Sequence, residues 1–369
     1  MAGIDHLPAV VTGGAFLLAA VFGAVGQRVN FCTMGAISDA ASFGDWRRMR
    51  MWALAIAVAM AGAAALQSAG LVDFAKSIYT APRVAWLSMI AGGFLFGFGM
   101  TLGSGCGSKT LIRIGGGNLK SLIVLVFIGI SAFMALKGLF AVWRVQALDP
   151  VRLDLAARTS DLPTVLAVLG VPAAAAAFVP WLLVAGIAAW VFANGAFRAT
   201  REMIAGGILI GAVVAAGWYL SGHVGFLAED PATLEEKFIA TNSGRMESLS
   251  FVAPVAYLLE LLIYWTDTSR VLTFGIAAVL GVIAGACAMA LATKTFRWES
   301  FTTAEDLAHH VAGGILMGFG GVTALGCTIG QGLSGVSTLA LGSFIAVGAI
   351  VAGCVAALKY QMWRLDHAD

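Results

Sequence analysis

GGFLFGFGMTLGSGCG (residues 92–107) and GGILMGFGGVTALGCT (residues 313–328) align without a gap at an offset of 221 residues. Gly92, Gly93, Leu95, Gly97, Phe98, Gly99, Gly105 and Cys106 each meet the same residue type in the later copy. A glycine nine residues before a cysteine occurs three times: Gly23 and Cys32, Gly97 and Cys106, Gly318 and Cys327. A fourth related string, GGILIGAVVAAGWYL (206–220), sets Gly211 on Gly97 and puts Leu220 in the cysteine slot. At the same 221-residue offset, RMWALAIAVAMAGAA (50–64) falls near RVLTFGIAAVLGVIAGA (270–286). The chain thus reads as two pseudo-symmetric halves, about 8–200 and 201–358, each with two Gly-rich breaks, inside one membrane domain over 1–369 with no separate soluble domain. Fused inverted halves with broken helices are the sequence trace of membrane transporters, whose site lies near the bilayer midplane at the repeat interface.

Composition agrees. Sixty per cent of the 369 residues are hydrophobic and 11% are charged, where soluble domains carry about a quarter charged residues. Mean hydropathy is +0.90. A soluble enzyme, a disordered chain, a coiled coil and a disulfide scaffold are excluded. Glycine supplies 46 residues, well above the usual ~7%; it lets membrane helices approach closely and permits breaks that line a cavity. A net charge of +2 gives no basis for a nucleic-acid partner.

The expected class is therefore an all-α polytopic membrane protein with about nine transmembrane segments plus re-entrant half-helices. Apolar runs fall at 9–26, 51–72, 84–103, 119–140, 177–195, 203–220, 271–292, 310–326 and 336–358. A shorter run at 251–265 is expected at the interface, and 144–161 as an amphipathic surface helix. The start, MAGIDHLPAV, lacks the basic region of a cleavable signal. Arg47, Arg48 and Arg50, with Arg198 and Arg201, assign their loops to the cytoplasm, while 228–248 is poor in Lys and Arg. The expected orientation is N-terminus out and C-terminus in.

Five cysteines are present, none in CxxC or zinc spacing. Cys287 and Cys354, in AGACAMAL and VAGCVAAL, read as small buried hydrophobes. Cys32, Cys106 and Cys327 differ: GQRVNFCTMG, LGSGCGSKTLIRIGGGN and LGCTIGQGLSG each place the thiol among glycines and hydroxyls at the end of an apolar run. A short helix starting at Thr33, Ser108 or Thr328 would aim its positive end into a cavity. A soft anion could be held there by the thiol and by the neighbouring groups of Gly105, Gly107, Gly326, Thr328 and Gln331. Asn30 and Gln331 fit either a ligand or a backbone cap; Lys109 and Arg113 fit either an anion exit or the headgroups. Glu260 reads as interfacial, and His223, His309 and His310 as solvated span ends. No P-loop, dinucleotide fingerprint or Ser/His/Asp arrangement occurs. No cofactor, metal or enzymatic activity is expected.

GQRVNFCTMGAISD (26–39), GFGMTLGSGCGSKTLIRIGGGNLKSL (97–122) and GFGGVTALGCTIGQGLSG (318–335) together resemble the YeeE/YedE family of bacterial inner-membrane sulfur-compound transporters, over roughly 8–358 and least at 141–177 and 226–265. The resemblance implies an hourglass of two halves, thiosulfate uptake through a narrow centre, and a three-cysteine relay falling on Cys32, Cys106 and Cys327, with Cys106 the main binding thiol. It also implies a small TusA-like sulfurtransferase partner on the cytoplasmic face, and some members are linked to selenium. Physically, neutral thiols would donate S–H to the terminal sulfur of the dianion while glycine N–H groups hold its oxygens. The rival readings are a membrane thiol–disulfide electron carrier and a Cu(I) channel using soft ligands.

Overall fold

The computed structural model describes residues 6–155, 157–230 and 234–367. Eight helices among them are long and apolar enough to cross a membrane: Leu7–Phe43 (with an internal break), Arg47–Ser68, Trp86–Gly115 (also broken), Leu119–Lys137, Ala173–Phe192, Arg201–Val224, Phe274–Ala292 and Leu341–Asp366. A further helix, Ala304–Thr323, has 20 residues, about 30 Å at 1.5 Å per residue. Its first turns carry Glu305, Asp306, His309 and His310, and its remainder is packed inside the bundle. The chain is an all-α polytopic membrane protein. Its strands are two-residue pairs in the connections, Arg83–Val84 with Leu153–Asp154 and Phe226–Leu227 with Lys237–Phe238.

Glycine sets which helices touch. Trp86–Leu102 and Ala304–Thr323 cross through four glycines. A Cβ at Gly92 would sit 2.7 Å from the Gly320 carbonyl oxygen, one at Gly99 2.8 Å from that of Gly313, and one at Gly320 2.6 Å from that of Gly92. On its other side the first of these helices lays Gly93 and Gly97 on Leu341–Asp366, and the second lays Gly314 and Gly318 on Leu119–Lys137. The outer pairs follow the same rule: Leu7–Arg28 packs on Phe274–Ala292, and Arg47–Ser68 packs on Arg201–Tyr219. Each contact thus has a counterpart in which the early and late helices exchange roles, as a twofold relation requires. Without a hydrophobic drive between helices in lipid, this close backbone approach supplies the dispersion contacts that hold them. Large apolar side chains turned outward (Leu17, Ile90, Leu122, Ile130, Leu182) suit a lipid-facing surface.

Two expectations are corrected. Residues 144–161 form no amphipathic helix: a π-helical turn covers Arg144–Leu148 and the chain then pairs as a strand at Leu153–Asp154. Pro150, lacking an N–H, stops a helix there, and Ala156 lies outside the described residues. The fourth repeat also carries no break. Where a break would need a left-handed residue, Trp218 is buried, edge-on to Phe74 and Tyr79, and donates to Ser337 Oγ at 3.0 Å. The helix runs on into a π-helical turn at Leu220–Val224. The Ala253–Ile263 helix, of 11 residues, is too short to cross, and Glu260 on it is buried between Lys137 (2.7 Å) and Arg270 (2.9 Å).

Replacing Gly97 or Gly318 by Leu drives a side chain into the backbone of the neighbouring helix at Ile350 or Ile128. Overpacking of this kind costs about 1–3 kcal/mol or more. Size-exclusion profiles of detergent-extracted protein should show lost monodisperse material for both. Gly186→Leu, where nothing lies within 4 Å, should run as wild type.

Candidate functional site

The three cysteine breaks are built alike. Each incoming helix ends with a residue in the left-handed region: Asn30 (φ +52°), Ser104 (φ +57°) and Leu325 (φ +57°), each two residues before its cysteine. The next N–H reaches back five residues, Phe31 to Gly26, Gly105 to Met100 and Gly326 to Gly321, at 2.7–2.9 Å. This is the Schellman ending, which satisfies carbonyls that the helix end leaves free. The cysteine follows as the cap of a new segment. Its carbonyl accepts from the residue four further on: Ala36 to Cys32, Thr110 to Cys106 and Gln331 to Cys327, at 2.7–2.9 Å. Glycine is therefore not the break residue itself, contrary to the expectation from sequence; it stands one residue later at Gly105 and Gly326.

The new segments are Thr33–Phe43, Gly107–Gly115 and a π-helical turn at Gly330–Gly335. Two of the thiols cap their own segment: Gly35 N–H donates to Cys32 Sγ at 3.3 Å and Gly330 N–H to Cys327 Sγ at 3.4 Å. Cys106 instead pairs with Ser108 Oγ at 3.3 Å. No side chain caps its helix, so the N–H groups of Gly107, Ser108 and Lys109 have no partner within that helix. Cys106 and Cys327 are fully buried and Cys32 is 8% exposed. Cys106 lies within electrostatic range of Cys32 and Cys327, and of Cys354 as well. The hydroxyls that follow Cys32 and Cys327, on Thr33 and Thr328, are buried without a hydrogen-bond partner.

The surroundings of the outer two thiols differ in charge. Near Cys32, Lys109 is buried and its Nζ donates to Asn30 Oδ1 at 2.5 Å, while Arg113 Nη1 donates to the Ser104 carbonyl at 2.7 Å. Arg48 lies across Gly35 and pairs with Asp39 at 3.3 Å. Near Cys327 the groups are uncharged hydroxyls: Tyr79 Oη and Ser250 Oγ face Gly330, and Phe251 binds the thiol through its backbone. Tyr79, Ser250 and Arg48 carry no local motif, and only contacts across the fold reveal them.

Of the expected site residues, Cys32, Cys106 and Cys327 each open a segment after a break, and Gly105, Gly107, Gly326 and Thr328 flank the last two of them in the chain. Gln331 folds back over Gly326, its amide N–H donating to the Ala324 carbonyl; its Oε1 is buried and unpaired. It is a backbone clasp with one acceptor free. Cys354 is buried and accepts from Thr101 Oγ1 at 3.3 Å. His223, His309 and His310 bind Leu71, Arg364 and Asp306 at span ends. A cavity of about 390 Å³ beside Ala63, Trp181 and Ser337 has no cysteine in its lining.

Three breaks of one backbone design, each with a cysteine at the start of the outgoing segment, inside a bundle of exchanged helix pairs define a polytopic membrane protein with interrupted helices. The chain belongs to the sulphur transport (YeeE/YedE) family, whose model matches residues 28–356. It is 26% identical over 328 residues to the thiosulfate transporter TsuA of Escherichia coli (strain K12), covering 85% of this chain and 84% of that protein. It is 28% identical over 339 residues to the thiosulfate transporter TsuA of Spirochaeta thermophila, covering 89% and 93%.

Leu325 is 46% exposed, so its backbone conformation weighs heavily in what a substitution does. Leu325→Val puts a β-branched residue at φ +57°, a worse fit than leucine to the left-handed region, and should lower the thermal midpoint. Leu325→Gly should match or exceed wild type. Intrinsic fluorescence on heating in detergent measures both.

Proposed function

We propose that this chain carries thiosulfate across the bacterial inner membrane through Cys32, Cys106 and Cys327 in series. The observation that carries this reading is the threefold recurrence of one local structure: left-handed residue, backward N–H bond, cysteine cap. In a packing role, three thiols would have no reason to share it. The names of the two relatives supply the substrate.

Thiosulfate is a dianion with one soft terminal sulfur, and moving it unassisted into hydrocarbon costs on the order of tens of kcal/mol. Fixed dipoles must replace its water, as carbonyl rings do for cations in channels. The N–H groups of Gly107, Ser108 and Lys109, at the positive end of the helix that Cys106 opens, hold the sulfonate oxygens. The S–H group donates to the terminal sulfur. Thr33 and Thr328, with unpaired hydroxyls, do the same beside the outer thiols. Because a thiol is a weak donor, each station binds lightly, and a conduit needs a site that admits the ion and releases it. Sulfate has no terminal sulfur and gains nothing from the thiols. The two transport halves are 8–200 and 201–358.

The basic loops place Arg48, Lys109 and Cys32 toward the cytoplasm, where a TusA-like sulfurtransferase receives the ion. The chain acts as a transporter and not as an enzyme. A thiol–disulfide carrier would use the same cysteines, and all five are free thiols.

In a strain without other uptake routes, Cys106→Ala should cut thiosulfate uptake by more than about tenfold, the effect of ~1.4 kcal/mol, with normal membrane insertion. Cys287→Ala and Cys354→Ala should stay near wild type. Thiol trapping during uptake should find the three central cysteines reduced; disulfides that cycle with flux would instead establish the electron carrier.

A further inference from the structure

The Cys327 side holds a cavity of about 190 Å³, more than ten times the ~15 Å³ one water needs. Its lining includes Tyr79, Asn242, Glu247, Ser250 and Tyr257, together with Gly326, the neighbour of Cys327. Tyr79 bonds Ser250, and both lie against Gly330, whose N–H holds the Cys327 thiol. The cavity therefore adjoins the break that carries Cys327.

Glu247 is the one carboxyl in its lining. One of its oxygens accepts from the Asn242 backbone N–H. The other, Oε1, is shut off from solvent and has no hydrogen-bond partner. No cation among the described residues faces it. Arg245 turns to the Ser77 carbonyl at 3.4 Å, and Lys137 and Arg270 are engaged by Glu260. His223, on the turn that holds the Glu247 backbone through Ser221, binds the Leu71 carbonyl. Phe274–Ala292 and Ala304–Thr323 present Gly275, Gly321 and Val322, none ionisable. Tyr79, Tyr257 and Cys327 are the remaining titratable groups. Burial without a cation pushes the Glu247 carboxyl up to about 8 and raises both tyrosines. A neutral carboxyl in this position carries an O–H donor and, beside it, tyrosine hydroxyls that stay protonated.

We propose that this cavity is a proton-gated waiting site for a sulfur oxyanion, in which neutral Glu247 donates its O–H to the anion and ionised Glu247 repels it. The site rests on the transport reading above and deepens it. Binding of the dianion favours the neutral acid, so each anion seated there fixes a proton on Glu247. The sign follows: occupancy is full below the carboxyl's titration range and is lost as pH rises through it.

The test uses full-length protein in proteoliposomes with radiolabelled thiosulfate as the probe. Wild-type uptake should fall roughly tenfold between pH 6 and pH 9, as a group titrating near 8 demands. Glu247→Gln, permanently neutral, should keep most of the pH 6 rate and lose the fall. A wild type indifferent to pH, or a Gln variant that falls in parallel, overturns the waiting site. A second measurement needs no variant: adding thiosulfate to lightly buffered protein at pH 8 should draw protons from solution, and no proton uptake overturns the proposal. A wild type that moves no thiosulfate even at pH 6 overturns the transport reading and the waiting site with it. One that transports at pH 6 without the Glu247 signature overturns the waiting site alone.

Discussion

The bilayer interior leaves no backbone N–H or C=O without a partner at low cost, and every feature of this protein's centre answers that constraint. A path for an anion needs exposed N–H groups inside the membrane, which is what the bilayer penalises. The three breaks reconcile the two demands. The Schellman turn closes the carbonyls of the incoming helix on its own N–H groups, and the cysteine carbonyl accepts the first bond of the outgoing segment. At Cys32 and Cys327 the thiol itself takes up one N–H of the outgoing segment, and only the helix after Cys106 starts with no side-chain cap. The left-handed residue this requires is a cost of about 1–2 kcal/mol when it is Ser104 or Leu325. Backbone strain of that size persists only where surrounding structure fixes it. Here the fixing comes from glycine crossings on either side, which leave the helices no room to shift.

The halves are alike in backbone and unlike in charge. Lys109, Arg113 and Arg48 gather by Cys32, whereas the matching stretch after Cys327 carries Gly330 and Ser334 in the places of Lys109 and Arg113. The twofold relation therefore yields two mouths of different polarity from one architecture. On the transport reading proposed above, the cationic end would attract a dianion over distance, and the hydroxyl-lined end would bind it by short-range donors and respond to a nearby carboxylate.

The sequence showed the fold more fully than the site. Apolar runs located the spanning helices to within a few residues, because a membrane span is a long signal with a single physical requirement. The 221-residue offset paired Gly92 with Gly313 and Gly97 with Gly318, and in the fold these glycines occupy exchanged contacts. The cysteines stood out because glycine and hydroxyl residues flank them. Other features were illegible for identifiable reasons. A left-handed Leu325 has no sequence signature, since the conformation is imposed by tertiary packing and leucine is not a residue that favours it. Trp218 cancels the fourth break through contacts with Phe74, Tyr79 and Ser337, which are distant in the chain. Tyr79, Glu247 and Ser250 lie in connections that read as ordinary loops. In the 144–161 stretch the mixed charge suggests an amphipathic helix, but Pro150, lacking an N–H, ends the helix first.

The weakness of the thiol as a donor is best understood with the glycines. A rigid cage of strong donors would trap a dianion, since each charge-assisted bond adds roughly 1.5–3 kcal/mol. The central helix offers N–H groups whose positions cannot adjust, because Gly99, Gly103 and Gly313 lock the crossing beside them. Binding strength must then be tuned by the side chain alone. A lysine or arginine at position 106 would bind the ion too firmly to release it, and a serine would favour oxygen over sulfur. A cysteine gives a donor that is polarizable and weak, small enough to stay buried without a cavity when no ion is present. On this physical ground the residue type at the break follows from the rigidity of the scaffold around it.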